Sequence, residues 1–427
     1  MRSLAWLALL TTCTYAIAEP KDDLLSLYLK ARASYPTLQQ AVAVAGAANA
    51  SADGARAALL PQWTLSVAPQ RTEGVTTNTA TSTISQSIVN LSAIDTWKAA
   101  RSDANAQDAN LLAAEQALIA EVAVRYFALL TAQNKLSTLE ANEAAFAELV
   151  RQSEVRVAER LSAPVDVDQA RTYLGLAQGA TQLAREAEAD ARQAMQQLTG
   201  QPPLPLKLLQ QNFHPTMPQP AERASWVAEA LVNNPLLHSG NASMAAAQNR
   251  IDAAREANLP TLNMTVTSQH TSPTNQTAGS LTTYNTVGLQ LTIPLFAGGS
   301  MFAQQKQATF NRDAVAVQLE STRRDVVRNV EAQLQAAKGS VNEIVAAESA
   351  AKAAERALAG TRTGQLLGTR TLTDVLYAIQ TQGQAQLQLT QARHRHIVAL
   401  LLLKQAVGRL SIDDLVSINT LLGPGPD

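Results

Sequence analysis

The chain is written twice. Tyr35-Pro36 through Leu60-Pro61-Gln62-Trp63-Thr64-Leu65 recurs 199 positions later, without a gap, as Asn234-Pro235 through Leu259-Pro260-Thr261-Leu262-Asn263-Met264. A second block agrees at an offset near 208: Val165-Asp166-Val167 and Ala170 correspond to Thr373-Asp374-Val375 and Ala378, and Gly200 corresponds to Gly408. Two copies at a period of about 200 residues describe one duplicated unit with a pseudo-dyad, since solenoids repeat at a far shorter period. The units span 19–200 and 223–409, with a Pro-rich bridge at 201–222 that meets them at mid-height and a tail at 410–427.

Each unit reads helix, strand pair, very long helix, turn, returning helix. Leu91 to Arg160 and Gly298 to Leu367 each run 70 residues without a proline, which as helix is about 100 Å. The series Leu319, Val326, Val330, Leu334, Ala337, Val341, Ile344 has coiled-coil spacing with small residues admitted to the seam. Composition agrees, with 46% hydrophobic but only 4% aromatic residues and few breakers, 19 Gly and 17 Pro. Ala-faced helices pack closely but bury little area each, so they need extended contact and partner chains. The flanking helices, about Lys21–Leu59, Asp166–Thr199, Arg223–Leu259 and Asp374–Val407, are each half as long as the central ones. They predict pairs stacked end to end beside each long helix.

The strand pairs, 62–90 and 261–294, alternate. Val287, Leu289, Leu291 and Ile293 share one face, and Thr286, Gly288, Gln290 and Thr292 the other. Trp63, Leu65 and Val67, and Leu262, Met264 and Val266, repeat the pattern, whereas Ile84, Gln86 and Ile88 alternate weakly. The Thr-, Asn- and Ser-rich links Thr72–Thr81 and Ser272–Thr282 predict exposed loops. Four such strands cannot close alone around water, and lipid tolerates no open sheet edge. Three chains would supply twelve strands of the length that an outer-membrane barrel uses. Trp63 and Tyr284 are the candidate rim aromatics. A periplasmic coiled-coil scaffold without channel activity is the competing reading.

Residues 1–18 read as a secretory signal, with Arg2, an apolar run from Leu4 to Leu10 and cleavage between Ala18 and Glu19. Cys13, the single cysteine, lies within it. An acylated Cys13 is the alternative, but Thr11-Thr12 fit a lipobox poorly. No later run approaches the ~20 apolar residues of a spanning helix. The net charge of −1 leaves no basic excess for nucleic acid. No HExxH, P-loop, G-x-S-x-G or CxxC pattern occurs, so catalytic residues, cofactor and metal are all expected to be absent. His394 and His396 flank Arg395 on different helix sides, which disfavours a metal pair.

The segment Gly368-Thr369-Arg370-Thr371-Leu372-Thr373-Asp374-Val375-Leu376, with Gln391-Ala392-Arg393, Gly408 and Asp414-Leu415-Val416-Ser417-Ile418-Asn419, resembles the TolC family of outer-membrane channel-tunnels. The resemblance implies a mainly α homotrimer with an internal duplication. Its long coiled-coil helices would form a twelve-helix periplasmic α-barrel, capped by a shared twelve-strand barrel in the outer-membrane lipid of a Gram-negative bacterium. It also implies a passive exit duct for efflux or type I secretion, opened by a periplasmic adaptor and an inner-membrane RND or ABC transporter. Arg370 matches the family's constricting arginine, and Val165-Asp166 its acceptor pair. Asp374 matches the first of two ring aspartates, the second being Tyr377 here, and Gln365 stands where the family has a linking tyrosine. Gly368, with Thr369, matches the turn glycine that the family uses for adaptor contact, and the equivalent position of the first hairpin tip carries Arg160 in place of glycine, followed by Leu161 and Ser162. Asp166 and Asp374 also stand where an acid stabilises a helix N-terminus regardless of any pore.

Overall fold

The computed structural model describes residues 21–72, 75–210, 212–273 and 282–423. The expected signal segment, with Ala18 and Glu19, lies outside them. The first unit comprises α1 (Leu24–Ser34), α2 (Pro36–Ala57), β1 (Gln62–Thr72), β2 (Val75–Val89), α3 (Leu91–Ala158) and α4 (Pro164–Thr199), and the bridge carries β3 (Leu208–Leu209). The second unit comprises α5 (Arg223–Asn233), α6 (Pro235–Glu256), β4 (Thr261–Pro273), β5 (Thr282–Thr292), α7 (Ser300–Leu366) and α8 (Leu372–Val407). The tail holds α9 (Ile412–Asn419) and β6 (Leu422–Gly423).

The two long helices, 68 and 67 residues, follow from the absence of proline. The expected continuous helices Lys21–Leu59 and Arg223–Leu259 are each broken in two. Proline forces the residue before it out of the α region, and Tyr35 (ψ 114°) and Asn234 (ψ 122°) are extended where Pro36 and Pro235 begin new helices.

The short helices do stack along the long ones. Near the strands, α3 meets α2 through Asn49–Asp108 and α6 through Arg250–Asp103. Farther down it meets α4 through Arg185–Glu140 and Arg171–Glu154, and α8 through Thr131–His394. The α7 seam buries Val326, Val330, Leu334, Ala337, Ile344, Ala347 and Ala351. Ser340 takes the place expected for Val341, because its hydroxyl meets His396 Nδ1 at 2.8 Å. Among the described residues no helix is long and apolar enough to cross a membrane.

The strands form one antiparallel sheet in the order β1-β2-β4-β5. The segment expected as a loop at Thr72–Thr81 is largely strand, with Thr72 paired to Val75 and Gln70 to Thr77. Thr is a good strand former, so a Thr-rich segment need not be a loop. The second expected loop lies mainly outside the described residues. The weak alternation of β2 coincides with a register shift between Ser87 and Val89. Register carries Trp63, Ile84, Val266 and Val287 across one face, all partners in turn, and Thr64, Thr83, Thr267 and Thr286 across the other. Tyr284 pairs with Gln269 and falls on the polar face with Thr286 and Gln290, so it is no rim aromatic.

The largest core sits at mid-height, where Tyr126, Phe127, Met195 and Leu198 meet α1, the bridge and the tail. Tyr126 Oη donates to the Lys207 carbonyl at 2.7 Å. His394 and His396 lie in and beside this core but face different helices, α3 and α7. Burial pushes His394 down to about 4. An unfolded histidine near 6.5 takes up a proton that the folded one refuses, so stability is full above about pH 6.5 and falls as pH drops, by up to about 3 kcal/mol. Thermal denaturation of the solubilised protein should show this fall, and His394→Gln should reduce it, leaving the part contributed by His396, which burial also pushes down.

Candidate functional site

The end of the helical staff farthest from the sheet carries two turns, α3–α4 and α7–α8. Both close in the same way: a residue in the left-handed region follows the helix, and the next N–H reaches back to a carbonyl five residues earlier. At α3–α4 the left-handed residue is Arg160 (φ 61°), and Leu161 N–H donates to the Arg156 carbonyl at 2.8 Å. At α7–α8 it is Gly368 (φ 76°), and Thr369 N–H donates to the Gly364 carbonyl at 2.8 Å. A non-glycine residue here costs about 1 kcal/mol.

Both candidate gate acids stabilise turns of their own chain. The Ser162 hydroxyl donates to the Asp166 carboxylate at the start of α4. Asp374 closes a capping box with Thr371, whose N–H and hydroxyl each donate to its Oδ2 at 2.9 Å. These bonds, with Arg370 nearby, hold the Asp374 carboxyl below the usual carboxylate range. The Arg370 stem lies back along α7, where a β-carbon on Gly364 would stand 2.7 Å from Arg370 Cγ. Among the described residues, the ion pairs formed between the α3, α4, α7 and α8 side chains leave out both Arg370 and Asp166. The two are therefore not brought together inside one protomer.

What does join the two hairpins near their tips is a contact with no spacing signal, Thr373 Oγ1 donating to Gln169 Oε1 at 2.6 Å. Tyr377 is 64% exposed and stands one turn beyond Asp374 on α8. Gln365 is half-buried in the last turn of α7, and Thr369 and Gly368 are exposed. Apolar side chains are exposed at both tips: Leu366, 87% exposed, with Leu367 at α7–α8, and Leu161 and Val165 at α3–α4.

The other functional surface is the sheet. Trp63, Leu65, Val67, Val287, Leu289 and Leu291 stand on one face and are all exposed, Val287 to 73%. Among the described residues the outer edges of β1 and β5 have no strand partner within the sheet. Among the described residues no group of His, Cys, Asp and Glu could hold a metal ion.

The outer membrane efflux protein family matches residues 27–201 and 226–409. The chain is 32% identical to the outer membrane protein TolC of Escherichia coli strain K12, covering 94% of this chain and 85% of that one. It is 26% identical to the alkaline protease secretion protein AprF of Pseudomonas aeruginosa, over 87% and 82% of the two chains. Its fold matches the CmeC outer membrane channel of Campylobacter jejuni with a TM-score of 0.80, at 17% identity and over 93% and 89% of the two chains.

Proposed function

The chain belongs to the outer membrane efflux protein family and is an outer-membrane efflux or secretion channel; from that premise we propose that it serves as the passive exit duct of a three-part export machine. The observation that carries the reading is the unfinished sheet. It presents a row of exposed apolar side chains and leaves two edges open, an arrangement that lipid accepts only when further strands close it. Three copies joined edge to edge make a closed twelve-strand barrel, and the flanking helices then form a twelve-helix tube.

The tube has no chemistry of its own, so an inner-membrane transporter of the RND or ABC class supplies the energy. A periplasmic adaptor holds the two together at the hairpin tips formed by Arg160, Leu161 and Ser162 and by Gly368 and Thr369. Arg370 finds its carboxylate, Asp166, across a chain boundary. An exposed pair of this kind is worth only about 1 kcal/mol, which suits a contact that must open. Three Asp374 carboxylates around the axis favour cations, and three Tyr377 rings narrow the bore behind them, with Gln365 lining the adjoining turn.

Arg370→Ala and Asp166→Ala should each raise single-channel conductance by loosening the closed tip. Unchanged conductance in both would remove them from the gate. Membrane fractionation tests the location of the whole, and recovery of the protein in the soluble fraction would contradict the duct.

A further inference from the structure

The polar face of the sheet carries one residue that does not match its neighbours. Register sets Thr64, Thr83, Thr267 and Thr286 in one row across the four strands, and Ser66, Thr81, Gln269 and Tyr284 in the next. Successive strand residues alternate faces. Among the described strand residues this face therefore holds no Lys, Arg, His, Asp or Glu, since Arg71 and His270 fall on the other, and Tyr284 is its single aromatic. The ring is 62% exposed, and the aromatic pairs formed among the described residues do not include it. Strand propensity accounts for a tyrosine in β5, and a membrane barrel keeps its aromatics on the lipid side at the two interfaces. Neither accounts for an aromatic on the bore side, where the threonines around it show that a hydroxyl alone suits the wall. Tyr284 is the third residue of β5 from the hairpin end, and the helices join the sheet at the opposite end, which puts the ring near the outer mouth.

We propose that Tyr284 is a solute-contact residue: in the assembled barrel three Tyr284 rings form a collar near the outer mouth that stacks on planar aromatic solutes as they leave. The inference rests on the exit-duct reading above and adds a class of solute. Because β5 is an edge strand, in the trimer it lies beside β1 of the next copy, whose bore face offers Gln62, Thr64, Ser66, Ala68 and Gln70. Whatever register that joint takes, the ring gains no aromatic or charged partner, and its π face stays open to the bore. A twelve-strand barrel is wider than the eight-strand one that its own side chains fill, so solutes pass the ring without displacing it. The hydroxyl-lined wall has no charge with which to hold cations or anions. Tyr284 is then the one aromatic surface that a solute meets on it. Stacking on an exposed ring is a weak contact, which slows a solute without trapping it.

The test is single-channel recording of the full-length protein in planar bilayers, with ethidium, a planar aromatic cation, or pyrenesulfonate, a planar aromatic anion, added to both sides. Each dye should interrupt the parent current briefly. Tyr284→Phe and Tyr284→Trp should keep the interruptions. Tyr284→Ser should shorten them about threefold or more for both dyes, as loss of one exposed ring contact requires, and its own pores show that it has assembled. Interruptions of unchanged length in Tyr284→Ser would overturn the inference and leave the duct standing. So would a block by ethidium alone that Asp374→Asn removes, because the contact would then lie at the periplasmic tip. Parent pores that neither dye interrupts would overturn the inference as well. No pores in the parent would overturn the duct reading and this inference together.

Discussion

Val287→Arg should abolish assembly in the outer membrane, while Thr286→Arg, one residue away, should leave the protein there. Val287 lies on the exposed apolar face in register with Val266, Ile84 and Trp63, and Thr286 lies on the polar face with Thr267 and Thr83. An arginine facing lipid near the bilayer midplane costs about 2–4 kcal/mol, and three chains would each bring one into the same barrel. An arginine facing the bore meets water and costs little. Fractionation of cells expressing each variant reads the difference directly. Equal membrane levels for the two would mean that the apolar face does not meet lipid.

Gly408→Ala is expected to be the most damaging single methyl in the helical part. Gly408 ends α8 at φ 88°, and a β-carbon there would stand 2.4 Å from the Asn233 carbonyl oxygen and 2.8 Å from Asn234 Cα. Both obstacles are backbone, fixed by the α5–α6 break. Asn234 donates from Nδ2 to the Ala406 carbonyl at 2.8 Å and accepts from Leu236 N–H, while Gln116 donates to the Gly408 carbonyl at 2.9 Å. The left-handed conformation costs about 1 kcal/mol and the overpacking about 1–3 kcal/mol more. Gly368→Ala shares the first cost and escapes the second, because nothing lies within 4 Å of its β-carbon position. Urea denaturation of the two variants should therefore separate them by at least about 1 kcal/mol. Equal losses would show that the joint at Asn233 yields.

The fold was legible wherever a local rule had no competitor. Proline-free stretches gave the long helices, and the alternation from Val287 to Leu291 gave the strand that presents the exposed row. The helix breaks at Tyr35 and Asn234 stand in the sequence as Tyr-Pro and Asn-Pro, and the proline rule alone predicts them. The Thr-rich segment after Thr72 carries no distinct loop signal, because polar residues belong on one face of such a sheet as well as in loops. The face of Tyr284 follows from β5 alone, since it stands two residues before Thr286 on the polar face.

At the tips, Thr371-x-x-Asp374 is a capping signature that sequence alone contains, and Asp166 with Ser162 lies within one turn. The contact of Thr373 with Gln169 joins two hairpins about 200 positions apart and has no sequence signal. The partner of Arg370 is equally out of reach of any spacing rule, since the proposed pair crosses from chain to chain. Arg160 was legible as a departure from glycine. Its left-handed backbone, at φ 61°, appears only in the structure.

Purified protein reconstituted in a planar lipid bilayer tests the central claim most directly. The account predicts discrete pores that pass cations in preference to anions, with the preference weakened by Asp374→Asn. Failure to form pores, or pores that prefer anions, would contradict it.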